Sequence, residues 1–202
     1  MTRCLYTGFM NLGRGLMLEK LFTSKNRVKL LQFFIVELKS GGTREISSKA
    51  KIPVSAVSGE LKKLLDAGII KKERNVYSLN EKSNILPELR GLLLKTDSLA
   101  YPLKKALNEG KIEFAFVFGS FASGKYCPES DVDLMIIGET SLEKVYNLLR
   151  PVEKEVGRDI NPVVWTRGAL TSKKNTGFVR DVFSKIIIML KGDENELRKI
   201  VK

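Results

Sequence analysis

The sequence contains no histidine, two cysteines and one tryptophan among its 202 residues. The lack of histidine removes His-based zinc sites, Ser-His-Asp hydrolysis and Cys-His catalysis together. Any catalysis must then rest on carboxylates, lysines, hydroxyls or an oxygen-bound metal. Cys4 and Cys127 stand far apart in the chain, which leaves no disulfide framework, so a reducing cytoplasm is the expected compartment. The longest unbroken apolar runs, residues 114–118 and 186–190, fall far below the ~18 residues of a membrane span. No apolar stretch leading to a small-residue cleavage site marks a secretory signal. No membrane partner is expected.

What is present is a globular composition, 43% apolar and 29% charged, in a length that suits one or two domains. The net charge of +12 is uneven. Residues 1–96 carry 18 Lys and Arg against 8 Asp and Glu, so +10 of the excess lies in the first half. Such a balance favours a polyanionic partner.

Residues 1–16 contain Gly8, Gly13 and Gly15 and no periodicity, and a loose N-terminal arm is expected there. Met17 opens the first convincing element and is a candidate internal start. Over residues 17–38, Leu18, Leu21, Phe22, Val28, Leu31, Phe34, Ile35 and Leu38 recur at helical spacing, with a break near 23–26. A short helix is expected near 44–50. Another follows from Pro53 to about Ala67, with Val54, Val57, Leu61, Leu64 and Leu65 on its apolar face and Gly68 closing it. Residues 69–73 and 76–79 read as a hairpin joined at Arg74-Asn75.

The run Arg44-Glu45-Ile46-Ser47-Ser48-Lys49-Ala50, then Val54-Ser55-Ala56-Val57-Ser58, then Leu61-Lys62-Lys63-Leu64-Leu65-Asp66-Ala67-Gly68-Ile69-Ile70 resembles a winged helix-turn-helix domain in the style of the ArsR and MarR regulators. The resemblance spans about residues 17–80 and implies double-stranded DNA as partner, with a homodimer expected. It places Ser55, Ser58 and Lys62 toward base edges, and Lys63, Lys71, Lys72 and Arg74 on phosphates.

Residues 84–109 read as two helices, one with Leu86, Leu89, Leu92 and Leu93 on a face, the other with Leu99, Leu103 and Leu107. They form a helical connector without visible chemistry. Residues 112–118 are a buried strand ending in Gly119-Ser120, and Asp131-Val132-Asp133 leads into a second apolar strand. Glycine at a strand end lets a ligand approach the backbone, and a helix starting at Ser120 or Phe121 aims N–H groups at an anion. Asp131 and Asp133, two apart on a strand, share a face. Two adjacent carboxylates call for a cation, and their oxygens suit Mg²⁺ shared with substrate phosphates. The combination points to metal-assisted phosphoryl or nucleotidyl transfer.

Gly119-Ser120, the ten residues 121–130 and Asp131-Val132-Asp133 resemble the signature of the DNA polymerase beta superfamily, in its small minimal nucleotidyltransferase group. The resemblance covers residues 110–192 and implies a mixed sheet backed by helices. It also implies an NTP substrate such as ATP, Mg²⁺ on Asp131 and Asp133, and β- and γ-phosphates held at Gly119 and Ser120. A third carboxylate is expected on the strand at about 158–165, where either Asp159 completes the site or takes a proton, or Asn161 occupies that position. Ser123 stands where many relatives carry a basic residue; Lys125 and Arg158 are the candidates to replace it.

The expected fold class is α+β: an arm over 1–16, a winged helix-turn-helix over 17–82, a helical connector over 83–109, a nucleotidyltransferase domain over 110–192 and a charged helix over 193–202. Two functions follow. One is a DNA-binding protein that transfers AMP from ATP to an acceptor, with a partner protein as in toxin–antitoxin pairs. The other is a transcriptional regulator whose second domain only senses nucleotide.

Overall fold

The computed structural model describes residues 17–96, 98–108 and 111–202. The arm expected over 1–16 lies outside them, as does the boundary expected at 109/110. Of the described residues, those from Met17 to Ser98 form one compact unit and those from Leu99 to Lys202 another.

In the first unit, helices α1 (Met17–Leu21) and α2 (Lys25–Leu31) are separated where the break was expected. The Ser24 hydroxyl accepts the Arg27 N–H at 3.2 Å and starts α2 afresh. The chain then widens into a π-helical turn, Gln32–Val36, whose five residues are all buried. The extra residue per turn lets adjacent side chains meet the core on more than one side of the helix. Phe33 and Phe34 pack edge to face at 5.1 Å, and buried Gln32 is satisfied by donating to the Ser98 hydroxyl at 3.1 Å.

Helices α3 (Thr43–Ala50) and α4 (Val54–Asp66) follow, then a hairpin of β1 (Ile70–Glu73) and β2 (Val76–Leu79). Ile70 stands opposite Leu79, and Glu73 opposite Val76. The two-residue link turns with Arg74 at φ +56°. Gly41 adds a third, single-residue rung by exchanging two hydrogen bonds with Tyr77, at 3.1 and 2.9 Å. The buried stripe of α4 is Val57, Glu60, Leu61 and Leu64. Val54 and Leu65, expected on that stripe, are exposed instead. Leu65 lies a 100° step around the helix from Leu64, and Val54 sits at its open first turn.

The expected connector does not act as one piece. Helix α5 (Leu86–Lys95) belongs to the first unit and α6 (Ala100–Ala106) to the second.

The second unit is a four-stranded mixed sheet in the order β5-β4-β3-β6. Its strands are β3 (Ile112–Phe118), β4 (Val132–Gly138), β5 (Ile160–Trp165) and β6 (Ile188–Lys191). β4 runs antiparallel to β3 and parallel to β5, and β6 runs antiparallel to β3. The short helix α7 (Gly119–Ser123) follows β3, and α8 (Leu142–Val156) makes the crossover from β4 to β5. Helices α9 (Arg167–Lys173), α10 (Gly177–Ser184) and α11 (Glu194–Val201) complete the unit. The sheet is apolar on both faces because helices cover both. Phe114, Phe116, Met135 and Ile137 pack with Leu170 of α9, Val182 of α10 and Leu197 of α11. The alternating residues Ala115, Val117, Leu134 and Ile136 are fully buried on the other face, on the side of α6 and α8.

Several elements differ from expectation. β5 begins at Ile160 rather than 158, so Asp159 precedes the strand. The closing strand is 188–191 rather than 185–190. Helix α9 was not expected; Leu170 is its one buried residue, too little to give a periodic signal, and its start is set by the Thr166 hydroxyl accepting the Ala169 N–H. Among the described residues no helix is long and apolar enough to cross a membrane.

Glu60 ties α4 to α2. Its carboxylate accepts from Arg27 Nε at 2.8 Å and from Lys63 Nζ at 2.9 Å. Burial opposes its ionisation, but the hydrogen bonds from Lys63 and Arg27, the Arg27 charge and Ser24 outweigh it and hold the carboxyl below its ordinary value of 4.5. A depressed carboxylate contributes stability that is complete above the ordinary value and is lost as pH falls through the folded one. Glu60→Gln should therefore cost about 1–3 kcal/mol at neutral pH by urea titration, and this cost should shrink toward pH 3.

Candidate active site

The end of β3 and the start of β4 come together because Phe118 and Asp133 are paired across the antiparallel ladder. Gly119 leaves the strand at φ +72°, a conformation that side chains resist. A Cβ on Gly119 would collide with the Asp133 carboxylate. The acid therefore lies directly against the glycine backbone, and residue 119 must be glycine for two independent reasons. The chain turns at once into α7, whose N-terminus no side chain caps.

Asp133 is half-buried and Asp131 exposed. In the parallel ladder, Asp133 pairs with Asn161 of β5, so both point to the same sheet face. Burial raises the Asp133 pKa, the Asp131 charge raises it further, and a hydrogen bond from Asn161 partly offsets them. The strain is electrostatic, and a divalent cation would relieve it.

The structure thus brings Gly119, Asp131, Asp133 and Asn161 together. Asp159 is exposed, one residue before β5, and its carbonyl accepts the Val132 N–H at 2.9 Å. Among the described residues there is no group of three or more His, Cys, Asp or Glu that could hold a metal ion. The available donors are two carboxylates and a side-chain amide. An all-oxygen pair fits Mg²⁺, which commonly takes one or two carboxylates and completes its shell with waters and substrate phosphates.

The loop between α7 and β4 is tied to itself. Ser123 Oγ donates to the Ser120 carbonyl at 3.0 Å, and the Lys125 N–H donates to the same carbonyl at 2.9 Å. Cys127 N–H donates to Ser130 Oγ at 2.9 Å, and Ser130 N–H returns to the Cys127 carbonyl at 3.1 Å. Tyr126 stacks on Phe121 at 4.3 Å, nearly parallel. The Arg158 guanidinium lies 5.7 Å from the Phe121 ring centre and donates to the carbonyls of Cys127 (3.2 Å) and Pro128. Arg158 is engaged in holding this loop. Lys125 is exposed.

In the first unit Ser55, Ser58, Lys62, Lys63, Lys71, Lys72 and Arg74 are all exposed. Several are engaged: Ser58 donates to the Val54 carbonyl at 3.3 Å, Lys63 pairs with Glu60, and Lys71 pairs with Glu73 at 2.6 Å. Lys72 lies 5.1 Å over the Tyr77 ring.

Sequence reasoning left the third position open between Asp159 and Asn161. The signal that settles its neighbour is burial alternation: Ile160 and Pro162 are buried, which turns residue 161 to the Asp133 face. Gly119→Ala should lower stability by about 2–4 kcal/mol in urea unfolding, since it adds both a left-handed strain and a clash with Asp133.

Residues 102–194 match the model of the Polymerase beta, Nucleotidyltransferase family. The chain is 32% identical over 81 residues to the "Putative protein adenylyltransferase MJ0604" of Methanocaldococcus jannaschii, which is 40% of this chain and 81% of that protein. Among solved structures, the toxin–antitoxin MntA-HpeT is similar with a TM-score of 0.39 and 16% identity, over 50% of this chain and 80% of that one. A toxin–antitoxin with AMP-PNP gives 0.37 and 17%, over 51% and 81%. Given an identity of this level across four-fifths of the Methanocaldococcus protein, and a family match that takes in the Gly-Ser bend and both aspartates, the chain belongs to the polymerase beta nucleotidyltransferase family.

Proposed function

We propose that the second unit transfers a nucleoside monophosphate from an NTP, ATP in the first instance, to a hydroxyl of a partner protein. The observation that carries this reading is the Asp133 carboxylate seated against Gly119, which sets an acid of the pair directly against the bend. The family supports nucleotidyl transfer, and the resemblance to the Methanocaldococcus protein adenylyltransferase supports a protein acceptor.

Asp131 and Asp133 would hold the Mg²⁺, which when bound neutralises charge on the transferring phosphorus and the departing pyrophosphate. Gly119 and Ser120 would receive the β- and γ-phosphates at the start of α7, with Lys125 adding a positive charge at the loop. Asn161 orients the Asp133 carboxylate by hydrogen bond, and we assign it that positioning role. Asp159 would take the acceptor's proton, a duty that needs no membership in a metal cluster.

The first unit is proposed to be a winged helix-turn-helix that binds double-stranded DNA as a homodimer. Its order of α3, α4 and hairpin, and the +10 balance of the first half of the chain, support this. Ser55, Ser58 and Lys62 on α4 would face bases, and Lys63, Lys71, Lys72 and Arg74 would meet phosphates.

A second reading, a regulator whose family domain senses nucleotide without turnover, draws on one observation: an amide, Asn161, rather than a carboxylate stands beside Asp133. Incubation with α-labelled ATP and Mg²⁺ separates the two. Label on protein, reduced at least about a hundredfold in Asp131→Asn/Asp133→Asn, is the expected result; Mg²⁺-dependent ATP binding with no transfer to any protein of a lysate would favour the sensor. Duplex DNA affinity should fall steeply between 50 and 200 mM salt, as expected for several phosphate contacts. Lys62→Ala should change sequence preference, whereas Lys72→Ala should weaken all duplexes about equally and reduce the salt slope by about one. Undetectable or salt-insensitive binding overturns the DNA reading.

A further inference from the structure

A nucleotide held by its phosphates at Gly119-Ser120 would set its base by the open end of the neighbouring sheet face, where Asn161 is exposed. That face carries Phe118, Asp133 and Asn161 as in-register partners. Phe118, the residue before Gly119, is partly buried against the aromatic core. Phe178, in the first turn of α10, meets Phe118 edge to face, with ring centres 5.9 Å apart at 86°. It meets Trp165 in the same manner at 5.7 Å and 65°. Although wedged by two rings, Phe178 remains 43% exposed. Its backbone is steadied by the Thr176 hydroxyl, which accepts the Val179 N–H at 3.4 Å.

Trp165 is the other aromatic on this side with a large stacking surface. Its ring is already covered by the Lys173 ammonium at 4.9 Å and packs against the core. The indole is therefore a backing for Phe178 rather than a surface for ligand.

We propose that the Phe178 ring is the platform on which the base of the bound nucleotide stacks, an assignment that rests on the nucleotidyl-transfer reading. The ligand class is a nucleoside triphosphate, and purines should be favoured over pyrimidines because they overlap more of the ring. A ring preheld by two aromatic neighbours loses little freedom on binding, so stacking is realised as affinity. Base–aromatic stacking contributes about 1–3 kcal/mol, hence about a 5- to 150-fold change in affinity.

The test is calorimetric titration of the full chain with ATP and, separately, with inorganic tripolyphosphate, each with Mg²⁺. Phe178→Ala should weaken ATP about tenfold and leave tripolyphosphate unchanged. Phe178→Leu, which keeps an apolar side chain against Phe118 and Trp165, should show the same selective loss, and Phe178→Tyr should retain ATP affinity. Unchanged ATP affinity in Phe178→Ala, or a parallel loss for both ligands, overturns the platform while leaving the phosphate site standing. Failure of the wild-type chain to bind tripolyphosphate as well as ATP overturns the nucleotidyl-transfer reading itself, and the platform with it.

Discussion

The contact between the Asp133 carboxylate and the bare Cα of Gly119 is the constraint around which the second unit is arranged. It requires that β3 and β4 be antiparallel neighbours in one register, since only then does Phe118 sit opposite Asp133. It also requires a residue that tolerates φ +72° and carries no side chain. Seating the acid there costs ionisation free energy, visible as a carboxyl raised by burial and by the charge of Asp131. The Asn161 hydrogen bond offsets part of that cost. The acids are thus seated at an electrostatic cost that a divalent cation would offset.

The apolar strands explain why this arrangement holds. Sheet residues are buried on both faces, by α6 and α8 on one and α9 to α11 on the other. A register slip of one residue would exchange those faces and expose the core along the whole strand. The loop from α7 to β4 adds local rigidity through the Phe121–Tyr126 stack, the Cys127–Ser130 hydrogen bonds and the Arg158 clamp. These groups hold the backbone that leads to Asp133.

Charge plays a different part in the first unit. The excess of lysine and arginine is written in the composition, but several of these side chains are engaged locally: Lys63 and Arg27 on Glu60, Lys71 on Glu73, Lys72 over Tyr77. Exposed pairs of this kind are weak and exchange readily with other anions. The Arg27–Glu60–Lys63 group is the exception, because Glu60 is buried and its partners hold two helices together. Counting charges gave the sign of the field, while the pairing decided which cations serve the fold.

Much of this was legible in residues alone. Strand β3 and helix α8 were read at their observed ends, since an aromatic and β-branched run bounded by glycine and a 15-residue amphipathic stretch are strong local signals. The Gly-Ser and Asp-x-Asp spacing pointed to the bend and both aspartates. The signal failed where the pattern was short or polar, as in α9 and the start of β5. Periodicity in one segment carries no information about its neighbour, so whether Asp159 or Asn161 flanks Asp133 had to wait for the parallel pairing of β4 with β5. The same holds for Arg158, whose partners lie about 30 residues away, and for Phe178, whose aromatic neighbours come from two different strands. Sequence alone determined the chemical types available and their local spacing, because these are properties of the chain itself. Tertiary structure decided which groups meet, because strand register and helix packing are set by burial of the whole sheet.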